Sequence, residues 1–589
     1  MSVSMTGMRR RLAFIPALLV ATSLVMVPAC GPRPTVAPAP EQAAGGGQTL
    51  RATGGMVVSA NAIASRVGMD VLRRGGNAVD AAIATGFALA VVHPTAGNVG
   101  GGGFMVIRFP DGRATTIDYR EKAPLAAHAE MFVDPATGEY SSSIHHNSHL
   151  AVGVPGTVAG FDYAHQRYGA AEWGSLVAPA VTLARDGFPL STNLANSFRN
   201  VLRSMERYPA SIAKFSNGGT PYEEGTVWRQ PELAGTLDRV RTQRRDGFYT
   251  GETARLIVAE MQRGGGMITE QDLALYQPRE RAPLRGTYRG YEVISMPPPS
   301  SGGVAMIEML NILEGYDLAG MRHNTAEYIH HLTEAMRRAY RDRARYVADP
   351  DFADVPVERL TSKEYAAGLR RDIVPNRASP SAPADIQLPG ESDQTTHYSV
   401  VDANGMAVSV TYTLEAAYGS KIVVPGAGFL LNNEMGDFNG RPGLTTETGL
   451  IGTEPNLARP EQRMISSMTP TILAKDGQLV AVFGSPGGRT IINTVMQIAL
   501  NIIDHGMSIE RAVDAGRMHH QWLPNRISIE ASGTTSQDSA ALVAMGHEVR
   551  MGGRQGSVHA IMIDARTGQR IGAPDRRDAD SGASGHPRN

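Results

Sequence analysis

"ESDQTTHYSVVDANGMAVSVTYTL", residues 391 to 414, sets two β-prone runs on either side of Asn404-Gly405. Val, Tyr and Thr dominate both runs, and Asn-Gly is a strong short-range hairpin signal. Gly405 suits the left-handed position of a three-residue loop closed by a bulge. In that register Asp402 pairs with Met406, and Thr395 falls opposite Thr413 with Cβ atoms about 4.5–5.5 Å apart, within reach of a hydroxyl–hydroxyl hydrogen bond. A two-residue loop would pair Thr395 with Leu414 instead. Cross-strand threonines are also ordinary sheet chemistry, because Thr packs well on a pleated surface.

A threonine at the head of a strand suits nucleophilic catalysis as well. If the Gln394-Thr395 bond breaks, the freed α-amine, with an ordinary pKa of about 7.7–8.0, can act as base for the Thr395 hydroxyl. Before that break the same hydroxyl can attack the Gln394 carbonyl, giving an ester that water opens. Such chemistry needs an anion hole. "GSPGG" at 484–488 ends a strand with consecutive glycines, whose N–H groups can approach a ligand closely.

The chain of 589 residues is 42% hydrophobic and 19% charged, an ordinary globular composition. Its 56 basic and 57 acidic residues leave a net charge of -1, without the basic footprint that a phosphate backbone demands, so nucleic acid is not an expected partner. Length alone suggests roughly four domains, a soft prior that large single-core enzymes break. Cys30 is the only cysteine, which excludes an intrachain disulfide and a Cys-based metal site.

Arg9, Arg10 and Arg11 precede the apolar run "LAFIPALLVATSLVMV", too short for a comfortable membrane span and charged on one side, as in an export signal. The run ends in "VPAC", which resembles a bacterial lipobox with Cys30 as the lipidated residue, although Pro28 is unusual there. The alternative is a soluble exported protein cut nearby. "GPRPTVAPAPEQAAGGGQ" follows and fits a flexible tether. The expected organisation is a signal peptide over 1–29, a tether over 30–50, and a body from residue 51.

Within the body, "SRVGMDVLRRGG" has helical spacing stopped by Gly75-Gly76, and "AVDAAIATGFALAVV" reads as a helix buried all round. "GNVGGGGFMVIRF" is a Gly-rich turn entering a strand that is followed, after "PDGR", by a neighbouring strand in "ATTIDYRE". Residues 150–390 read as mainly helical. Strands follow in "TTHYSVV", "MAVSVTYTL", "GFLLNN", "TPTILAK" and "LVAVFGSP", then the helical pair "TVMQIALNIIDHG" and "SIERAVDAGR". More strands run to about residue 565, and the tail 566–589 is expected to be loose.

These segments together resemble the γ-glutamyltranspeptidase (glutathione hydrolase) family of the N-terminal-nucleophile hydrolase superfamily, over about residues 53–565. The motifs "GGNAVDAAIA", "GNVGGGGFM", "DYREKAP", "GVPGTVAGF", "SMPPPSSGG", "QTTHYSVVD", "LLNNEMGDF", "SSMTPTI", "GSPGGRTII" and "HHQWLP" carry the resemblance, in family order. It implies an α+β fold, a four-layer αββα sandwich formed by two chains cut from one precursor between Gln394 and Thr395. The large subunit would span 51–394 and the small catalytic one 395–589, associated as a heterodimer.

It further implies that Thr395 is both self-cleavage and catalytic nucleophile, with Thr413 bonded to it and Gly487 and Gly488 forming the oxyanion hole. Arg120 would grip the substrate α-carboxylate with Ser466 and Ser467, as a guanidinium fork suits a carboxylate. Glu434 and Asp437 would bind the α-amine, with Glu415 at a position held by Asn or Glu elsewhere. The implied substrates are glutathione and other γ-glutamyl compounds, with water, amino acids or dipeptides as acceptors. Asp437 argues for a free amino-acid head group and against the cephalosporin-type acylase branch, whose glutaryl substrates lack that amine. Thr448 stands in the lid loop where several bacterial members carry an aromatic residue. A non-enzymatic exported ligand-binding lipoprotein is the reading from a different class.

No cofactor or metal is implied. "IHHNSH" at 144–149 lacks the i, i+4 face of a zinc site and reads as solvated loop histidines, and "MHHQW" at 518–522 reads as a structural motif. "GNVGGGG" has no following Lys-Ser/Thr, so it is read as backbone packing around the active site rather than a phosphate loop.

Overall fold

In the hairpin, Thr396 pairs with Tyr412, His397 with Thr411, and Val401 with Ala407, the register of the three-residue loop. Asp402 N donates to Met406 O at 3.0 Å, and Gly405 takes a φ of +91°. The Asp402 carboxylate caps the loop by accepting from Asn404 N at 2.9 Å and Met406 N at 3.1 Å. The computed structural model describes residues 42–382 and 395–587, apart from 445, 447 and 449–451. Gln394 and Cys30 lie outside the described residues.

The hairpin strands Thr396–Val401 and Ala407–Thr413 sit at the centre of an eight-stranded antiparallel sheet. Its order is Gln42–Gly45, Gly582–Gly585, Met56–Ser59, the two hairpin strands, Gly102–Arg108, Ala114–Asp118 and Arg279–Arg281. A seven-stranded antiparallel sheet packs on it, in the order Leu284–Tyr288, Tyr291–Ser295, Thr471–Lys475, Gln478–Phe483, His559–Ile563, Arg570–Pro574 and Leu50–Ala52. Met56, Val58, Val106 and Val401 of the first sheet meet Ile294, Ile472, Val482 and Ile561 of the second in one buried cluster.

Alternation along the strands sends the other side chains outward. Tyr398, Val400, Val408 and Val410 pack with the helix Ala78–Val92, all of whose residues are buried. On the far side Val293, Leu473, Ala481 and Phe483 pack with Gly302–Leu313, Ala326–Tyr346 and Thr490–Ile503. The result is the expected αββα sandwich. The hairpin from the expected small subunit is sandwiched between Met56–Ser59 and Gly102–Arg108 of the expected large one.

Three expectations need correction. "GFLLNN" is not a strand: Leu430 makes only an isolated bridge with Val423. The tail is not loose, because Arg570–Pro574 and Gly582–Gly585 are strands within the two sheets. Asp575, between them, is buried and paired with Arg517 at 2.7 Å and Arg577 at 3.2 Å. The run "GASG" lacks the apolar alternation that marks a strand from sequence, yet its small residues fit a crowded place between two strands, where a Cβ on Gly585 would lie 2.8 Å from Ala52. Residues 42–45 and Leu50, inside the segment expected to be a tether, also pair, with 582–585 and Gly572. No helix among the described residues is long and apolar enough to cross a membrane.

Candidate active site

Thr395 stands one residue ahead of the central strand, 7% exposed, and lines a small cavity with Thr413, Gly488 and Arg120. Glu415, Glu434, Asp437, Ser466 and Ser467 line the same cavity, so a single hollow gathers residues spread over more than 350 positions. Gly487 lines the adjoining larger cavity, which Thr395 also reaches. Of the described candidates, all are therefore brought to Thr395. Gln394 and Cys30 are outside the described residues.

Thr413 is fixed by its surroundings. Its hydroxyl accepts from Glu415 N at 2.9 Å, and its carbonyl accepts from Asn98 Nδ2 at 2.8 Å. Asn98 Oδ1 in turn accepts from Gly101 N at 3.0 Å and Thr157 Oγ1 at 2.7 Å. A Cβ on Gly101 would lie 2.0 Å from Thr413 O. This close approach of backbones accounts for the Gly-rich run. Across the cavity, Gly487 and Gly488 adopt φ of +131° and +55° between the strand Gln478–Phe483 and the helix Thr490–Ile503, conformations that favour glycine.

Arg120 is fully buried at the end of Ala114–Asp118. It donates through Nη1 to Glu434 and through Nη2 to Asp437, and also through Nη2 to Ile465 O at 2.9 Å. Burial works against its charge but is outweighed by Glu434, Asp437 and Glu121, which hold it firmly protonated. Asn432 and Asn433 explain the preceding "NN". Asn432 bonds Gly100 O and Gly153 O at 2.8 Å each, and Asn433 donates to Glu415 Oε2 and receives Ala416 N at 3.0 Å. Glu415 itself has φ +78°, a left-handed strain that such functional positions tolerate when their surroundings fix them.

Three positions went unread in the sequence. Arg343, on the helix Ala326–Tyr346, donates to Ser301 Oγ at 2.7 Å and Ser467 Oγ at 3.1 Å. It ties "PPPSSGG" to the serine pair, as do Ser301 N and Oγ, which bond Ser466 O at 2.7 and 2.6 Å. Glu121 lies 3.7 Å from Arg120 Nη1, and neither of its buried oxygens has a hydrogen-bond partner among the described residues. Burial, then Glu434, push its carboxyl well above the ordinary range against the pull of Arg120. His397 is buried between the sheets with Thr411 Oγ1 at 2.8 Å and Ser399 Oγ at 3.1 Å, and burial keeps it neutral. Arg343 was hidden in a charge-rich helix, and Glu121 and His397 were hidden inside motifs whose neighbours drew the attention.

Thr448 is exposed and bonds Thr446 at 2.8 Å. The base of its loop is pinned by Asn456, which donates to Asp437 O at 2.7 Å and accepts from Ile465 N at 3.0 Å. The "IHHNSH" histidines are not solvated loop residues as expected. His145 is buried against Met435 O at 3.1 Å, bracing the Glu434–Asp437 turn from behind, and His149 bonds Glu260 at 2.9 Å. His330, Glu334 and His547 form the one metal-like trio among the described residues, but Glu334 is already taken by Arg338 at 2.7 Å and Ser379 N at 3.0 Å.

The profile of the family described as Gamma-glutamyltranspeptidase matches residues 64–585. Glutathione hydrolase proenzyme of Escherichia coli strain K12 is 45% identical over 541 residues, covering 91% of this chain and 93% of that protein. Among solved structures, cephalosporin acylase from Bacillus halodurans superposes with a TM-score of 0.81 at 28% identity, over 95% of this chain and all of that one. Helicobacter pylori gamma-glutamyltranspeptidase is 44% identical with a TM-score of 0.53, over 54% of this chain and 91% of that one. With sandwich, hairpin and cavity already in place, this chain belongs to the γ-glutamyltranspeptidase family.

Proposed function

We propose that the protein is a γ-glutamyltransferase with glutathione hydrolase activity that first cuts itself between Gln394 and Thr395. The Thr395 hydroxyl attacks the Gln394 carbonyl, the peptide nitrogen leaves as the new α-amine, and water opens the ester. The two resulting chains stay together because their strands alternate in one sheet. Thr395 Oγ then attacks the γ-carbonyl of glutathione or another γ-glutamyl amide, with its own α-amine taking the proton and passing it to the departing amine. Gly487 and Gly488 N–H groups offset the oxyanion, a contribution worth about 2.7–4 kcal/mol per donor in comparable sites. Water or an acceptor amine releases the glutamyl group.

The observation that carries this reading is Arg120 held between Glu434 and Asp437 on the wall of the cavity that contains Thr395. One cation and two acids side by side match an α-amino acid, which bears both charges. Glutaryl substrates would leave the acids without an ammonium, which disfavours the acylase reading despite the acylase neighbour. We also assign Cys30 as a lipid attachment point that holds the enzyme at a membrane after export to the periplasm. This rests on the basic, apolar and "VPAC" sequence alone.

A denaturing gel with sequencing of the smaller band tests the core of the reading. Wild type should give two chains, the smaller beginning at Thr395, and Thr395→Ala should stay whole. Wild type should hydrolyse γ-glutamyl-p-nitroanilide well and glutaryl-p-nitroanilide poorly. A Thr395→Ala chain still cut at that bond would assign the cleavage to an outside protease.

A further inference from the structure

Two buried carboxyl groups meet between the helices Gly302–Leu313 and Ala326–Tyr346: Glu308, 1% exposed, and Asp342, 2% exposed. Asp342 has donors, since Tyr365 gives its hydroxyl to Oδ2 at 2.6 Å and Arg341 Nε lies 3.7 Å from Oδ1. Glu308 has none. Neither of its buried oxygens meets a hydrogen-bond partner among the described residues. The other cation near it, Arg359, is exposed and lies over the rings of Tyr346 and Tyr365 at 4.5 and 5.2 Å.

A buried carboxylate without a partner is costly, and two carboxyl groups that face each other attract only over a proton. Burial, then the charge of Asp342 and the hydrogen bond to it, push the Glu308 carboxyl well above the ordinary range, against Arg341 and Arg359. Glu308 is therefore the donor of the pair. The same two helices carry the contacts that hold the serine pair. Ser301 stands at the head of the first, about two turns before Glu308 and on the same side, and Arg343 follows Asp342 on the second. Arg343 and Ser301 bond each other at 2.7 Å and reach Ser467 Oγ and Ser466 O. The gap between the helices sets the reach of both.

We propose that Glu308 and Asp342 share one proton as a clasp between these helices, and that Glu308 is thereby a positioning residue that keeps Arg343 and Ser301 in place against Ser466 and Ser467. The clasp acts on substrate binding and not on the reacting atoms. Loosening it lets the serines drift from the α-carboxylate of the γ-glutamyl group while Thr395 and the glycines of the oxyanion hole stay where they are. The inference rests on Ser466 and Ser467 gripping that carboxylate.

The test sets Glu308→Gln, which still donates a hydrogen bond to Asp342, against Glu308→Met, which matches the volume but cannot donate. Hydrolysis of γ-glutamyl-p-nitroanilide at pH 7 is followed for each. The glutamine variant should keep the wild-type KM, and the methionine variant should raise it about fivefold with kcat little changed, the scale of one hydrogen bond lost. The infrared difference spectrum of wild type minus Glu308→Gln at pH 7 should carry the C=O stretch of a protonated carboxyl. A spectrum with carboxylate bands alone overturns the shared proton. Equal KM values in the two variants, or a loss that falls on kcat and not on KM, overturn the positioning role. Ser467→Ala, run alongside, separates this inference from the reading beneath it. An unchanged KM in Ser467→Ala would sink the role of the serines and the positioning role with it, and the infrared band would still decide the proton. A raised KM there, with wild-type KM in Glu308→Met, would sink the clasp alone.

Discussion

Arg120 donates one terminal nitrogen to Asp437 and the other to Glu434, so the cation expected to grip a carboxylate lies between the two acids expected to grip an ammonium. The guanidinium partly offsets the two carboxylates before any substrate arrives, which lowers the cost of burying them. An α-amino acid can enter by exchanging partners, its carboxylate taking the guanidinium and its ammonium taking the acids. A ligand with only one of the two charges would leave a buried group uncompensated.

Asp437→Asn should therefore reduce turnover of γ-glutamyl-p-nitroanilide about ten- to a hundredfold, the loss of a charged hydrogen bond worth about 1.5–3 kcal/mol. Glutaryl-p-nitroanilide should suffer less. Equal losses on the two anilides would show that Asp437 serves only to hold Arg120.

Glu121 gives a pH signature. Burial and Glu434 raise its folded pKa above the ordinary 4.5, so the fold favours the protonated acid. That contribution is fully present below the unfolded pKa and is lost as pH rises through the folded one. Thermal unfolding followed from pH 6 upward should show wild type losing stability more steeply than Glu121→Gln, which mimics the neutral acid. Parallel pH curves would mean that Glu121 carries its charge in the folded protein.

The Asp575 ion pairs anchor the C-terminal strands. Burial opposes its charge, but Arg517 and Arg577 win and hold the carboxyl far below the ordinary 3.8. Its stabilisation is thus present above the unfolded carboxyl pKa and lost as pH falls through the folded one. Asp575→Asn should cost about 3–5 kcal/mol at neutral pH, because it leaves Arg517 buried without its partner, and the gap to wild type should narrow in acid. Chemical denaturation at pH 7 and at pH 2, well inside the window below 3.8, measures both. A change below about 1 kcal/mol at pH 7 would show that the pair is replaceable.

Cys30→Ser should move activity from the membrane fraction to the soluble one without altering the rate per molecule, since lipidation requires the thiol and a multi-chain anchor buries methylenes at about 0.8 kcal/mol each. Wild-type activity that is wholly soluble, with an N-terminus other than residue 30, would leave export without an anchor.

Sequence alone fixed the hairpin, because Asn404-Gly405 and the alternation around it are local signals that act within a few residues. It likewise marked the all-apolar helix Ala78–Val92, whereas the candidate residues were legible through the resemblance of their motifs to the family and not from residue type or spacing alone. The small-residue strand Gly582–Gly585 was invisible, because its stability comes from two flanking strands hundreds of residues away and not from its own side chains. The Arg343 contact with Ser467 was equally invisible: an arginine in a charged helix has no local mark of the distant serine it meets. Only the packing of the two sheets decided that Arg120, Glu434 and Asp437 would share one hollow with Thr395, since long-range burial, and not local propensity, sets which charges must offset one another.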